Sequence, residues 1–319
     1  MKIVILDGFA ANPGDLSWEG LDRFGEVVNY DRTRPEEVLE RSAGADVLLT
    51  NKTVLDRKII ESLPDLKMIG VLATGYNIVD IEAAREKGIP VCNVPAYSTD
   101  SMAQLVFAFI LEQASRVAEH TASVKAGDWA NSRDFSYMVA PITELAGKTM
   151  GFVGFGNVAK KTADIAAAFG MQVIAYSRTM KGQEDRKNFR WVSLDELCEQ
   201  ADYISLNCPL TEQTKGLVNR EFLSKMKPSA MLINTARGPV VVEEDLAEAL
   251  DKGVIAAAAV DVLSSEPPKG DNPLLTAKNI WITPHIGWAT KEARVRLLKV
   301  TEENLEAFAK GEPQNVVNG

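Results

Sequence analysis

GFVGFGNVAKKTADIAAAFG, residues 151–170, decides how this chain folds. An apolar strand runs into Gly154 and an alanine-rich helix leaves it, with the pattern Gly154-x-Gly156-x-x-Ala159 between them. Gly154 permits a tight turn. Gly156 has no side chain, so a pyrophosphate could approach the backbone there. Ala159, small in place of a third glycine, lets the helix pack closely on the strand. The amides near Asn157 and Val158 would then face an anion at the positive end of the helix. Short glycine patterns arise by chance, and a glycine turn that binds nothing is the competing reading. The strand before the turn and the helix after it weigh against that reading.

The next strand, MQVIAY, leads to Tyr176, Ser177, Arg178 and Thr179. A dinucleotide unit of this kind usually carries Asp or Glu here, which accepts from the ribose 2′-hydroxyl and repels a 2′-phosphate. This tip has no acid. Ser177 and Thr179 could donate to a 2′-phosphate and Arg178 could pair with it, so the expected cofactor is NADP or NAD, with NADP favoured. The rival reading makes Arg178 a solvated or adenine-stacking arginine beside an NAD site.

Strands and helices alternate through the rest of the chain, which predicts an α/β protein with parallel sheets. Before residue 100 the strand candidates are KIVIL, VVNY, DVLLT, MIGVLAT and PVCNV, with helical PEEVLERS, LDRKIIESL and DIEAAREKG between them. After Lys148 come TMGFVG, MQVIAY, YISLNC, AMLINTA, VIAAAAVDV and IWITPH, nearly continuous apolar runs that suggest a sheet covered on both faces. These make two doubly wound parallel-sheet domains, the second of the Rossmann type. Between them one long helix is expected from about Ser98 to Gly127. Its first half is apolar nearly all round, so it should be buried between domains or against a second subunit. A last helix, about Thr290 to Lys310, could stay with the second domain or cross back to the first.

The 319 residues are ample for two domains, and 46% apolar with 25% charged is ordinary for a globular protein. A net charge of −9 argues against a nucleic-acid partner. Cys92, Cys198 and Cys208 are odd in number and far apart, as expected in a reducing compartment. The opening MKIVILDGF does not read as a signal peptide, and no apolar run approaches membrane length. A cytoplasmic protein is expected.

Of the two histidines, His120 lies late in the apolar helix and reads as structural or interfacial. His285, in ITPHIGWAT, lies just beyond the last strand, framed by Pro284 and Gly287. Ligands of open α/β sheets bind outside the carboxyl ends of strands, where Arg237 (NTARGP) and Glu266 (DVLSSEPP) also fall. Each has a plainer alternative: a satisfied core histidine, a surface arginine, a loop carboxylate stiffened by prolines. Together they suit hydride transfer. His285 would protonate the developing alkoxide, Glu266 would orient the ring and favour its charged form, and Arg237 would grip a substrate carboxylate with two parallel hydrogen bonds. Spacing alone does not show that the three converge, and no metal is expected.

Gly154-x-Gly156, NTARG, the Glu in VLSSEPP and TPHIGWAT, in this order over nearly the whole chain, resemble the D-2-hydroxyacid dehydrogenases. ATGYNIVDIEAAREKGIPVCNVPAYSTDSMAQ and SRDFSYMVAPITELAGKT look closest to the glycerate dehydrogenase and hydroxypyruvate reductase group. The resemblance implies that Arg237, Glu266 and His285 are catalytic. It implies that the amides of Thr74 and Gly75 hold the substrate carboxylate, with Asn51 and Lys52 facing the substrate. Asp261 would contact the nicotinamide carboxamide, and Cys208, Pro209, Thr235 and Ala236 would line the cofactor. It implies reduction of a small 2-oxo acid such as hydroxypyruvate or glyoxylate, and a homodimer through the 99–126 helix region. The last helix would return to the first domain, giving a discontinuous substrate domain (1–98 plus 290–319) and a dinucleotide-binding domain (99–289). The departures are Ala159 and the missing acid at Ser177. The alternatives are a phosphoglycerate-dehydrogenase-like enzyme, which often carries an added regulatory domain, formate dehydrogenase, which tends to pair its histidine with Gln, and a non-catalytic dinucleotide-sensing corepressor.

Overall fold

A computed structural model describes residues 1–183 and 185–319. The chain divides into two compact units, Met1–Ser98 with Trp288–Gly319, and Thr99–Gly287.

In the first unit, β1 (Lys2–Ile5), β2 (Glu26–Asn29), β3 (Val47–Thr50), β4 (Met68–Val71) and β5 (Val91–Cys92) form a parallel sheet in the order β2-β1-β3-β4-β5. β3 and β4 are buried along their whole length, as VLLT and MIGV demand. Asp56 and Asp80 cap the helices Arg57–Glu61 and Ile81–Glu86 by accepting the amides of Ile59 and Ala83. The C-terminal helix Lys291–Ala309 covers one face of this sheet. Ala293, Leu297, Leu298 and Leu305 pack with Ile3, Ile5, Val47 and Leu49, and Arg294 pairs with Asp15 through its two terminal guanidinium nitrogens (2.6 and 2.8 Å).

The second unit holds β6 (Thr149–Val153), β7 (Gln172–Tyr176), β8 (Phe189–Trp191), β9 (Tyr203–Leu206), β10 (Met231–Asn234), β11 (Ala257–Val260) and β12 (Ile280–Ile282). All pairings are parallel, in the order β12-β11-β10-β9-β6-β7-β8. The chain's direction across the sheet reverses between β1 and β3 in one unit and between β6 and β9 in the other. Those are the switch points where open α/β sheets bind ligands.

The structure corrects three readings. β8 was missed because FRW, two half-buried aromatics around an exposed arginine, carries too little pattern to register. The long helix is broken at Arg116, which takes the left-handed conformation (φ 51°) between Thr99–Ser115 and Val117–Ala126. An arginine gives no warning of a conformation that favours glycine. The apolar half of that helix is also buried within its own unit. Val106, Phe107, Phe109 and Ile110 pack on Ala159, Ala163 and Ala166 of the glycine-turn helix and on the sheet beneath.

Candidate active site

β6 delivers the chain into Gly154, at φ 87°, where L side chains are strained. A β-carbon there would lie 2.8 Å from the backbone of Asn207 and Cys208 beyond β9, so the switch point closes only around glycine. The Gly154 amide donates to the Tyr176 carbonyl (2.7 Å), which brings the Ser177–Arg178–Thr179 tip beside the turn. Ser177 is half-buried, and Arg178 and Thr179 are exposed. A β-carbon on Gly156 would meet nothing within 4 Å. The helix Asn157–Ala168 begins there without a side-chain cap, and Ala159 is fully buried against the sheet. Thr235, past β10, has a buried hydroxyl with no hydrogen-bond partner. Open space, uncapped amides at a helix start and an orphaned hydroxyl fit a nicotinamide dinucleotide.

The chemistry-bearing side chains follow β10, β11 and β12. His285 sits at φ 56°, and its Nδ1–H donates to Glu266 Oε2 at 2.6 Å. Glu266 Oε1 accepts the Leu263 amide (3.1 Å), so the carboxylate is held at both oxygens. The His285 and Glu266 side chains remain 27% and 35% exposed, so the pair is reachable. Asp261 is 1% exposed, and its carboxylate accepts the Thr283 hydroxyl (2.6 Å) and the amides of Ile286 and Gly287 (both 2.8 Å). Burial pushes the Asp261 carboxyl up from its ordinary value, while Thr283, those amides and nearby His285 act the other way. Three donors leave a carboxylate room for one more.

Arg237 is half-buried, and one guanidinium nitrogen donates to the Ala236 carbonyl (2.7 Å). Asn234 fixes this turn by accepting the Ala236 amide and donating to the Arg237 carbonyl, both at 3.0 Å. A β-carbon on Gly238 would fall 2.0 Å from the Leu263 carbonyl carbon, so the Arg237 turn rests directly on the Glu266 turn. Cys208 is buried, and desolvation raises its thiol, as it does those of Cys92 (to about 11) and Cys198 (to about 12). All three are poor nucleophiles. His120 lies apart from this group. Its Nδ1–H donates to the Arg116 carbonyl (2.8 Å) and its Nε2 accepts the Val139 amide (3.3 Å), a structural clip.

In the first unit, Asn51 and Lys52 follow β3, and Thr74 and Gly75 follow β4. Asn51 is 2% exposed and donates to the Leu72 carbonyl (2.5 Å), while Thr74 donates to the Val94 carbonyl (2.9 Å). The sequence reading missed Asp7, whose carboxylate accepts the amides of Asn51, Lys52 and Thr53. The available signal was an acid at the end of the apolar run KIVIL. It also missed Thr283 and Gly238, which hold the His285 and Arg237 turns from residues with no chemistry of their own.

The family of D-isomer specific 2-hydroxyacid dehydrogenases, NAD binding domain, matches residues 107–287. A hydroxypyruvate reductase from Blautia hydrogenotrophica is 49% identical over 321 residues, covering 100% of each chain. A glycerate dehydrogenase from Methylorubrum extorquens is 40% identical over 295 residues, covering 92% of each. Among solved structures, the TT0316 protein of Thermus thermophilus superposes with a TM-score of 0.88 at 36% identity, covering 99% of this chain and 100% of that one. The chain belongs to the D-isomer-specific 2-hydroxyacid dehydrogenases. It is an oxidoreductase acting on the CH–OH group of 2-hydroxy acids with a nicotinamide dinucleotide. The non-catalytic corepressor reading is set aside.

Proposed function

We propose that this enzyme reduces hydroxypyruvate and glyoxylate, reversibly, to D-glycerate and glycolate, with NADPH preferred over NADH. The observation that carries the reading is the 2.6 Å His285–Glu266 pair beyond β12. A bound dihydronicotinamide would supply hydride to the carbonyl carbon. His285, its Nδ1–H committed to Glu266, delivers a proton from Nε2 to the oxygen that gains charge, and recovers one in the reverse direction. Arg237 pairs with the substrate carboxylate and polarises the carbonyl. The amides of Thr74 and Gly75, with Asn51 and Lys52, recognise the acid. Asp261 offers its remaining acceptor capacity to the nicotinamide carboxamide.

The dinucleotide is assigned to the unit Thr99–Gly287, held by Gly154, Gly156, Asn157, Val158, Cys208, Pro209, Thr235 and Ala236. Acid recognition is assigned to the other unit. NADP preference is supported by the acid-free tip, with Arg178 exposed beside the glycine turn. A homodimer through the 99–126 helices is supported by apolar side chains left open on and after them, among them Val117 (60% exposed), Met138 (68%) and Phe135 (93%). A cytoplasmic location is supported by three cysteines kept as buried thiols. Among the described residues no helix is long and apolar enough to cross a membrane.

The test is the initial rate of hydroxypyruvate reduction with NADPH and with NADH, in wild type and Arg178→Ala. A lower KM for NADPH, raised about tenfold or more in the variant while the NADH value holds, is expected from loss of a charge-assisted phosphate contact. Equal use of both cofactors, or an NADH advantage, would make Arg178 an adenine-stacking or surface residue.

A further inference from the structure

We infer that Asp7 is a positioning residue for substrate binding, fixing through its buried carboxylate the loop that presents Asn51 and Lys52. The inference rests on the reading that this loop meets the substrate. Asp7 lies two residues past the end of β1 and is 8% exposed. Oδ1 accepts the Asn51 amide at 2.7 Å, and Oδ2 accepts those of Lys52 at 2.6 Å and Thr53 at 2.8 Å. Three successive amides turned onto one carboxylate fix three peptide planes, and with them the direction in which the Lys52 side chain leaves the backbone. Charge-assisted bonds of this length are among the stronger ones a protein makes.

The restraint extends past the loop. Asn51, its amide held by Asp7, donates from Nδ2 to the Leu72 carbonyl, and the Leu72 amide donates to the Thr50 carbonyl (2.8 Å). The Val94 amide donates to the Ala73 carbonyl (3.0 Å), and Asn93 donates to the Thr74 carbonyl (2.8 Å). One hydrogen-bonded lattice thus joins the segments that follow β1, β3, β4 and β5, with Asp7 at the switch point. Lys52 and Thr74–Gly75 are set relative to each other through it. A plain turn lock would need one such bond, whereas among the described residues this carboxylate accepts three, all from the loop assigned to the substrate.

Asparagine in place of Asp7 keeps one acceptor and turns an NH₂ group toward amides that need an acceptor. In Asp7→Asn, KM for hydroxypyruvate should rise about tenfold or more with kcat within threefold of wild type. The amides of residues 51–53 should lose protection from hydrogen exchange. In a Lys52→Ala background, Asp7→Asn should add less than threefold to KM, because the two substitutions remove one effect. If Asp7→Asn does not fold, Asp7→Glu, which keeps the charge but overreaches by a methylene, is judged by the same KM-against-kcat split. An unchanged KM, or a full multiplicative effect in the Lys52→Ala background, overturns the proposal. Wild-type protein that turns over neither hydroxypyruvate nor glyoxylate overturns the substrate reading instead, and hydrogen exchange at residues 51–53 then decides whether Asp7 holds the loop.

Discussion

The two sheets reverse direction at equivalent places and treat those places in opposite ways. Between β6 and β9, the backbone closes around Gly154, Gly156 opens onto free space, and the helix behind starts with uncapped amides. Between β1 and β3, the amides of residues 51–53 are already turned onto a carboxylate of the same chain. One switch point is left open and the other is filled internally. A doubly wound sheet offers a ligand crevice where its chain direction reverses. A single acid at the end of β1 converts that site from a binding cradle into a scaffold for the loop beside it.

The same device recurs in the second unit away from its switch point. Asp261 gathers three donors from the turn that carries His285, as Asp7 does for the turn that carries Lys52. The His285 turn is held in the left-handed region at 1% exposure of its anchoring acid, whereas residues 51–53 contain no positive φ. The second anchor therefore restrains a strained residue, and losing it should be felt in turnover and not in substrate affinity.

The largest effect separating the switch points is expected from Gly154→Ala. A β-carbon 2.8 Å from the Asn207 and Cys208 backbone, at φ 87°, must push the turn away from β9. Nucleotide affinity measured by calorimetry should fall about 100-fold, or ~2.7 kcal/mol. Retained affinity would mean that the turn does not hold the dinucleotide. A smaller effect is expected from Asp261→Asn, which leaves a buried donor unpaired at a cost of about 1–3 kcal/mol. Turnover should fall about tenfold with substrate KM little changed. A rise in KM alone would erase the distinction drawn between the two acids. The smallest effect is expected for nucleotide binding in Asp7→Asn, where affinity should stay within about twofold of wild type. A larger loss would show that the filled switch point also serves the dinucleotide.

Much of this was legible in local pattern. The glycine turn announces itself because strand, turn and helix are contiguous, and VLLT or MLIN can be little other than buried strands. His285 and Glu266 were legible as residues beyond strand ends, but not as a pair. They stand 19 positions apart and meet because β11 and β12 are neighbours in register, Ala258 opposite Ile280. Asp7 was legible as an acid after KIVIL, but not its role, since its partners lie 44 to 46 residues away. The break at Arg116 and the three-residue β8 are decided by tertiary packing, which no local pattern records.

His285 as the proton donor is the centre of the proposed chemistry, and one comparison tests that role. Hydroxypyruvate reduction should be followed in wild type and His285→Ala, with nucleotide affinity measured on the same samples. A fall in kcat of about 100-fold or more, with affinity within threefold of wild type, is the expected result. Near-normal turnover in His285→Ala would contradict that role and move the proton donor elsewhere.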